Sequence, residues 1–293
     1  MDIVLALVAA LCFSLGTVLQ QQVASTASEE EARQAGFLLR LARRPRWLAG
    51  IAADALGFVA QAAALAIGRL VVVQPLLATT VVFSLPLGAK LGGRRVVRRD
   101  MLAALAVTAG LGVFLVVADP TGGREDATTA AWIVSFGVAA VVCAALALAA
   151  RGRPPARRAG LVGAAAGILF GLSAALTKAT VERLDEGVLQ VFTSWHLYAL
   201  IAVGYASMSL SQSSLQTGAL APSVATQMSL DPIASLLLGI FAFDESVHED
   251  TAGLIAALAA FAVMIAGIVV LAASEQEPGE EEPVAQPASA APG

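Results

Sequence analysis

The chain has 293 residues, of which 58% are hydrophobic and only 14% charged, with a formal net charge of -4. A soluble domain carries roughly 25% charged residues, and no fold of this size hides so much apolar surface from water, so a soluble globular protein is excluded. Two cysteines, Cys12 and Cys143, both inside apolar runs, exclude a disulfide framework and a cysteine metal site.

A helix that crosses a bilayer needs about 20 mostly apolar residues. Nine segments meet that length, at approximately 3-24, 47-68, 70-90, 101-118, 130-150, 159-180, 193-211, 219-243 and 251-273. The fold class expected is therefore all-α, a polytopic membrane bundle of about nine helices. The start, Met1-Asp2-Ile3, lacks the positive region of a cleaved signal peptide, so the first segment reads as a retained membrane helix. The seventh ends in a run rich in Ser and Gln, Ser207 to Gln216, which suits a wall facing protein better than one facing lipid. Trp47, Trp132 and Trp195 stand at predicted helix starts, as in an interfacial belt.

Lys and Arg concentrate in alternate loops. The loops after helices one, three and five carry Arg33, Arg40, Arg43, Arg44 and Arg46; Lys90, Arg94, Arg95, Arg98 and Arg99; and Arg151, Arg153, Arg157 and Arg158. The opposite side has Arg69, Arg124 and Arg183. By the positive-inside rule the basic side is cytoplasmic, with the N-terminus outside and the C-terminus inside, in the plasma membrane. The outer side is acidic, with Asp2, Asp119, Glu125, Asp126, Glu182, Asp185, Glu186, Asp244, Glu245, Glu249 and Asp250, a field that favours cations at an entrance. Residues 274-293, rich in Glu, Pro and Ala, show no apolar periodicity and are expected to be a disordered tail.

An internal repeat organises the rest. Phe13-Ser14-Leu15-Gly16-Thr17-Val18-Leu19-Gln20-Gln21 aligns without gaps on Phe170-Gly171-Leu172-Ser173-Ala174-Ala175-Leu176-Thr177-Lys178. Trp47 and Trp195 open the following helices, and Ser84-Leu85-Pro86 answers Ser229-Leu230-Asp231-Pro232. The division expected is a four-helix repeat over 1-118, a linker helix with its loops over 119-158, a second four-helix repeat over 159-273, and the tail. The two repeats run in opposite senses through the membrane, an arrangement common in transporters with a site near the midplane.

A family resemblance rests on Trp47-Leu48-Ala49-Gly50, Gly57, Gln61, Ala64 and Val73-Gln74-Pro75-Leu76, and on Pro232 through Gly239 to Asp244-Glu245. This pattern resembles the NIPA-type magnesium transporters and EamA-like proteins of the drug/metabolite transporter superfamily. The family places an acidic residue after the glycine, where this chain has Phe58, and an asparagine where it has Gln61. The resemblance implies a transporter fold and, for the NIPA branch, magnesium as cargo.

The candidate site residues are Asp54, Gln61, Gln74, Asp231 and Lys178 along a substrate or ion pathway, with Asp54 and Asp231 as metal ligands. An ionisable group near the bilayer centre costs about 2.5–3.5 kcal/mol on insertion scales, so such a residue marks function or a satisfied pair. Gly50, Asp54, Gly57, Gln61 and Ala64 form one stripe of helix two, which reads either as a pathway or as a packing face. Pro232 is expected to break or kink helix eight beside Asp231 and free a carbonyl near Met228, while Pro75 and Pro86 bend helix three. Gly163, Gly167 and Gly171 read as a packing stripe, and Lys178 as a residue that snorkels or pairs with Glu182. Gln20, Gln21 and Gln22 read as a solvated helix end.

Magnesium suits a site of few carboxylates with amide and carbonyl oxygens, whereas transition metals favour clustered His or Cys, which His196 and His248 do not provide. No phosphate-binding glycine loop is present, and Gly171-Leu172-Ser173-Ala174 with His196 makes only a faint serine-hydrolase pattern. The function expected is transport by alternating access, of a divalent cation such as magnesium or, in the alternative, of a small organic metabolite; an accessory membrane protein is the remote alternative. No enzymatic activity and no cofactor are expected. The expected partners are the lipid bilayer, the solute or cation and a second copy as a homodimer, with no nucleic acid.

Overall fold

The computed structural model describes residues 1–24, 44–92, 97–217, 219–247 and 251–274. The tail after Ser274, the basic residues Arg33, Arg40, Arg43, Arg94 and Arg95, and the outer residues His248, Glu249 and Asp250 lie outside the described residues.

The described chain is a bundle of helices: α1 (Asp2–Ala24), α2 (Pro45–Ile67), α3 (Leu70–Leu77), α4 (Thr80–Gly92), α5 (Arg98–Ala118), α6 (Thr129–Ala149), α7 (Pro155–Glu182), α8 (Val188–Thr193), α9 (Trp195–Leu215), α10 (Leu220–Phe241) and α11 (Thr251–Ser274). Among the described residues, eight spans are long and apolar enough to cross a membrane, α3 and α4 together making one of them. The outer surface of the bundle carries Leu, Ile, Val and Phe side chains, such as Leu56, Val59, Leu102, Val116, Ile133, Val138 and Val141. Water would not tolerate that coat, whereas lipid does. The chain is a multi-pass helical membrane protein.

Predicted helix three is two helices in one span. Pro75 lacks the N–H that would bond Val71 one turn back, and the ladder gives way at the turn Ala78–Thr79. The Thr79 and Thr80 hydroxyls donate to the carbonyls of Leu76 and Leu77 at 2.6 and 2.7 Å. At Pro232 the expected break is absent, because α10 runs unbroken from Leu220 to Phe241.

Small residues set the helix contacts. Gly163, Gly167 and Gly171 of α7 lie against the backbone of Ser223, Gln227 and Asp231 on α10, where an added Cβ would come within 2.5 to 2.9 Å of those carbonyl oxygens. The predicted packing stripe is thus the α7–α10 seam. Gly110 of α5 and Gly267 of α11 make a similar crossing, against Ala260 and Met264 and against Ala103 and Val107. In the first half α1 packs on α2 and α4; in the second, α7 packs on α9 and α10. The buried serines Ser207, Ser211 and Ser214 of α9 face inward, as the seventh segment's polar end required. The α6 helix packs on α7 and is otherwise largely exposed.

Two short strands, β1 (Thr121–Gly122) and β2 (Glu245–Ser246), pair antiparallel, Thr121 opposite Ser246 and Gly122 opposite Glu245. They join the turns after α5 and α10 on one face of the bundle, called the strand face below. The other face carries Arg44, Arg46, Arg98, Arg99, Arg151, Arg153, Arg157 and Arg158, and is called the arginine face. Trp132 stands near the strand face but is buried. Its Nε1 donates to Asp126 at 2.9 Å and its ring meets Trp195, His196 and Phe243 edge-on. It is therefore a packing residue and not part of a lipid-facing belt, while Trp195 remains half-exposed.

Candidate functional site

A cavity of about 560 Å³ is lined by residues of both halves of the chain. Its polar lining comes from Gln61 of α2, Gln74 of α3, Thr80 of α4, Ser173 and Thr177 of α7, and Gln227 and Asp231 of α10. Its apolar lining includes Phe13, Phe58, Phe170, Met208 and Met228. Three of the five predicted site residues, Gln61, Gln74 and Asp231, thus meet in one space.

Gln74 is 3% exposed, and its Nε2 has no hydrogen-bond partner. Leaving a buried amide donor unpaired costs about 1–3 kcal/mol, which marks a group kept for something other than stability. The Ser173 hydroxyl is also buried without a partner. Asp231 Oδ1 accepts a long bond of 3.4 Å from the Ser235 hydroxyl one turn on. Asp231 is the one carboxylate among the residues that line the cavity. Gln74 reaches the cavity from α3, just before the break at Ala78–Thr79 in a span expected only to bend, and the continuous α10 carries Asp231.

Phe58 stands where the resemblance expects an acid. Its ring meets Phe13 edge-on at 5.2 Å, so an aromatic pair lines that wall of the cavity.

Asp54 and Lys178 lie apart from the cavity lining. Asp54 accepts a hydrogen bond from Gln20 Nε2 across the α1–α2 seam. Gly50 and Gly57, one turn either side, sit against Gly16 and Gln20 and against the Phe13 ring. The part of the helix-two stripe formed by Gly50, Asp54 and Gly57 is a packing face toward α1, while Gln61 lines the cavity; Gln20, read as a solvated helix end, is instead the partner of Asp54. Among the described residues no cluster of three or more His, Cys, Asp or Glu could hold a metal ion. Asp54 and Asp231 belong to separate surroundings and share no site.

Lys178 is 6% exposed and does not snorkel. Its Nζ donates to the carbonyls of Gly68 and Leu65 at 2.9 and 3.4 Å, and lies 3.7 Å from Glu182. The predicted pairing with Glu182 is present, but the stronger partners are the carbonyls that end α2. A cation at a helix C-terminus complements the free carbonyls there.

Sequence reasoning missed Glu245, which was assigned to the exposed acidic field. It is 2% exposed. Its Oε1 and Oε2 accept from the amides of Leu70 and Val71, each at 2.8 Å, and so cap the start of α3. Burial pushes its carboxyl above the ordinary carboxylate range, against the pull of those two amides and the charges of Lys178 and Arg69. The available signal was positional: Glu245 stands 13 residues after Pro232, in the run that carries the resemblance.

A second pocket, of about 540 Å³, lies at the strand face and is lined by Asp126, Trp132, Arg183, Trp195 and His196 among others. Asp126 pairs with Arg183, and His196 Nε2 lies 3.2 Å from Asp126. Ser173 and His196, the faint hydrolase pair, line different cavities.

No protein-family model matches the chain, and no solved structure matches it. The chain is similar to a protein of Corynebacterium glutamicum described only as uncharacterized, 28% identical over 277 residues, which cover 94% of this chain and 96% of that one.

Proposed function

We propose that this chain is a drug/metabolite-type transporter of the cell membrane that moves a small cationic solute by alternating access through the central cavity. The observation that carries the reading is the cavity itself. Gln61 and Gln74 come to it from the first half and Asp231 from the second, and the buried Gln74 amide lacks a protein partner.

The architecture proposed is nine crossing helices, as two inverted four-helix repeats joined by α6. Support for α9 as the ninth comes from its two ends. His196 at its start lies beside Asp126, and Ser214 at its end donates to Ala159 at the beginning of α7, so α9 runs antiparallel to α7 along the bundle. Support for the repeat comes from equivalent packing, α1 on α2 and α4 against α7 on α9 and α10. In addition, Ser84 and Ser229 each stand 16 residues before a buried carboxylate, Asp100 and Glu245. The charge asymmetry supports an orientation with the strand face and the N-terminus outside and the C-terminus inside.

A single carboxylate in a site walled by amides and hydroxyls suits a cation. Magnesium fits if it keeps its inner waters, because it dehydrates reluctantly and needs few protein oxygens. A second reading, a small organic amine, draws on Phe13, Phe58, Phe170, Met208 and Met228 and on a volume within the range of small-molecule sites.

The test is flux in proteoliposomes against a panel of magnesium, other divalent ions, amines and amino acids, with Asp231→Asn as the paired control. Magnesium flux lost in Asp231→Asn supports the first reading, and amine flux lost in it supports the second. No flux of any solute through folded protein sinks both.

A further inference from the structure

Polar groups from elsewhere in the chain hold the corner between α2 and α3, at Gly68 and Arg69. A helix that ends leaves carbonyls unpaired and a helix that starts leaves amides unpaired, with partial charges of opposite sign. Both occur here within a few residues, since α2 ends at Ile67 and α3 begins at Leu70. The second half supplies the matching charges. Lys178 of α7 takes the carbonyls of Leu65 and Gly68, and Glu245 of β2 takes the amides of Leu70 and Val71. Arg69 Nε donates to the Gly122 carbonyl of β1 at 2.9 Å. On the far side, Gly239 of α10 lies so close to Val71 that an added Cβ would stand 2.6 Å from its Cγ2.

This clamp lies next to the cavity along two helices. Lys178 follows the cavity residue Thr177, and the cavity residue Gln74 lies one turn beyond the capped Leu70. The charges of Lys178 and Arg69 act on the Glu245 carboxylate from nearby; Glu182 pairs with Lys178, and Asp244 with Arg124. The clamp therefore stands between the cavity and the strand face.

We propose that Lys178 and Glu245 form the gate between the cavity and the strand face, and that the α2–α3 corner leaves them in the state open to that face. The inference rests on the transport reading. The two groups are positioning residues: they hold a backbone corner and do not touch the solute. Such a clamp suits a two-state element, because its charges exchange protein partners for water in one step.

The experiment uses the full chain with Cys12 and Cys143 replaced by Ser and Thr177→Cys as a cavity reporter, labelled from each face with a membrane-impermeant maleimide. Glu245→Ala is expected to raise labelling from the strand face about tenfold, corresponding to a shift in the open population. An unchanged rate from that face in a variant with an intact melting transition overturns the gate.

A second arm does not depend on that variant folding. Lys178→Met in the same background leaves the Glu245 bonds to Leu70 and Val71 in place and removes only the cation from the Leu65 and Gly68 carbonyls. It is expected to raise strand-face labelling of Thr177→Cys about tenfold. Labelling at the parent rate in folded protein overturns the gate. If the parent moves no solute while the labelling responds as expected, the transport reading fails and the gate stands, so the two failures are distinguishable.

Discussion

The Glu245 carboxylate accepts the amide proton of Leu70 at 2.8 Å, across 175 residues of chain. Glu245 thus fastens the start of a helix in the first half from a strand in the second. Truncation to Ala would orphan two buried amides, each costing about 1–3 kcal/mol. Burial holds the Glu245 carboxyl above its ordinary range. The clamped form then binds the proton more tightly than a hydrated form. Its contribution is fully present below the ordinary carboxylate range and is lost as pH rises through the raised value. Thermal melting in detergent across that window should show a wild-type decline that Glu245→Gln flattens. An equal decline in both proteins would place the titrating group elsewhere.

The glycines of α7 offer an internal contrast. A Cβ at Gly167 would stand 2.5 Å from the Gln227 carbonyl oxygen, whereas one at Gly160 meets nothing nearer than 3.7 Å. Gly167→Ala should lower the melting temperature by several degrees, since overpacking costs about 1–3 kcal/mol. Gly160→Ala should be neutral or slightly stabilising, because alanine is the better helix former by about 1 kcal/mol. Size-exclusion profiles and melting curves of the two purified variants decide the matter.

Asp54 and Asp231 should separate in transport. Losing a buried charge that meets the solute costs about 2 kcal/mol or more, a loss of over tenfold in binding or flux. Asp231→Asn should show that loss. Asp54→Asn keeps a side chain able to bond Gln20 and should retain most of the flux. Comparable losses in both, at equal reconstitution, would return Asp54 to the pathway.

Gln74 presents the opposite trade. Its unpaired Nε2 destabilises the folded protein, so Gln74→Leu should raise the melting temperature while it removes a polar group from the cavity and lowers flux. A variant that is less stable than the parent would show that the amide has a partner after all.

Much of the framework was legible in the sequence because it depends on quantities that are local. Apolar run length placed the helices to within a few residues, since each residue advances a helix by about 1.5 Å. The glycine spacing of α7 announced a close contact, and i, i+4 spacing announced the Lys178–Glu182 pair. The small residues beside Asp54 also announced a contact, but not its partner. The same periodicity serves a pathway and a packing face, and only the position of α1, with Gln20 and Phe13 on it, made Gly50, Asp54 and Gly57 a packing face while Gln61 reached the cavity. Pro75 and Pro232 read alike in sequence. One accompanies a broken helix and the other an unbroken one, so the proline alone does not decide the break.

The sequence by itself determined that this is a multi-pass helical membrane protein, since a 58% hydrophobic chain with 14% charge has no aqueous fold to adopt. It also nominated Gln61, Gln74 and Asp231 as costly polar residues in apolar segments. Only the tertiary structure gathered those three into one cavity and left Asp54 on the α1–α2 seam. Only it turned Glu245 and Lys178 from surface charges into buried caps on a single corner. The reason is physical: the cost of a polar group is set by local hydrophobicity and can be read in one dimension. What satisfies that group is a partner brought from far along the chain, and that partner exists only once the helices have packed.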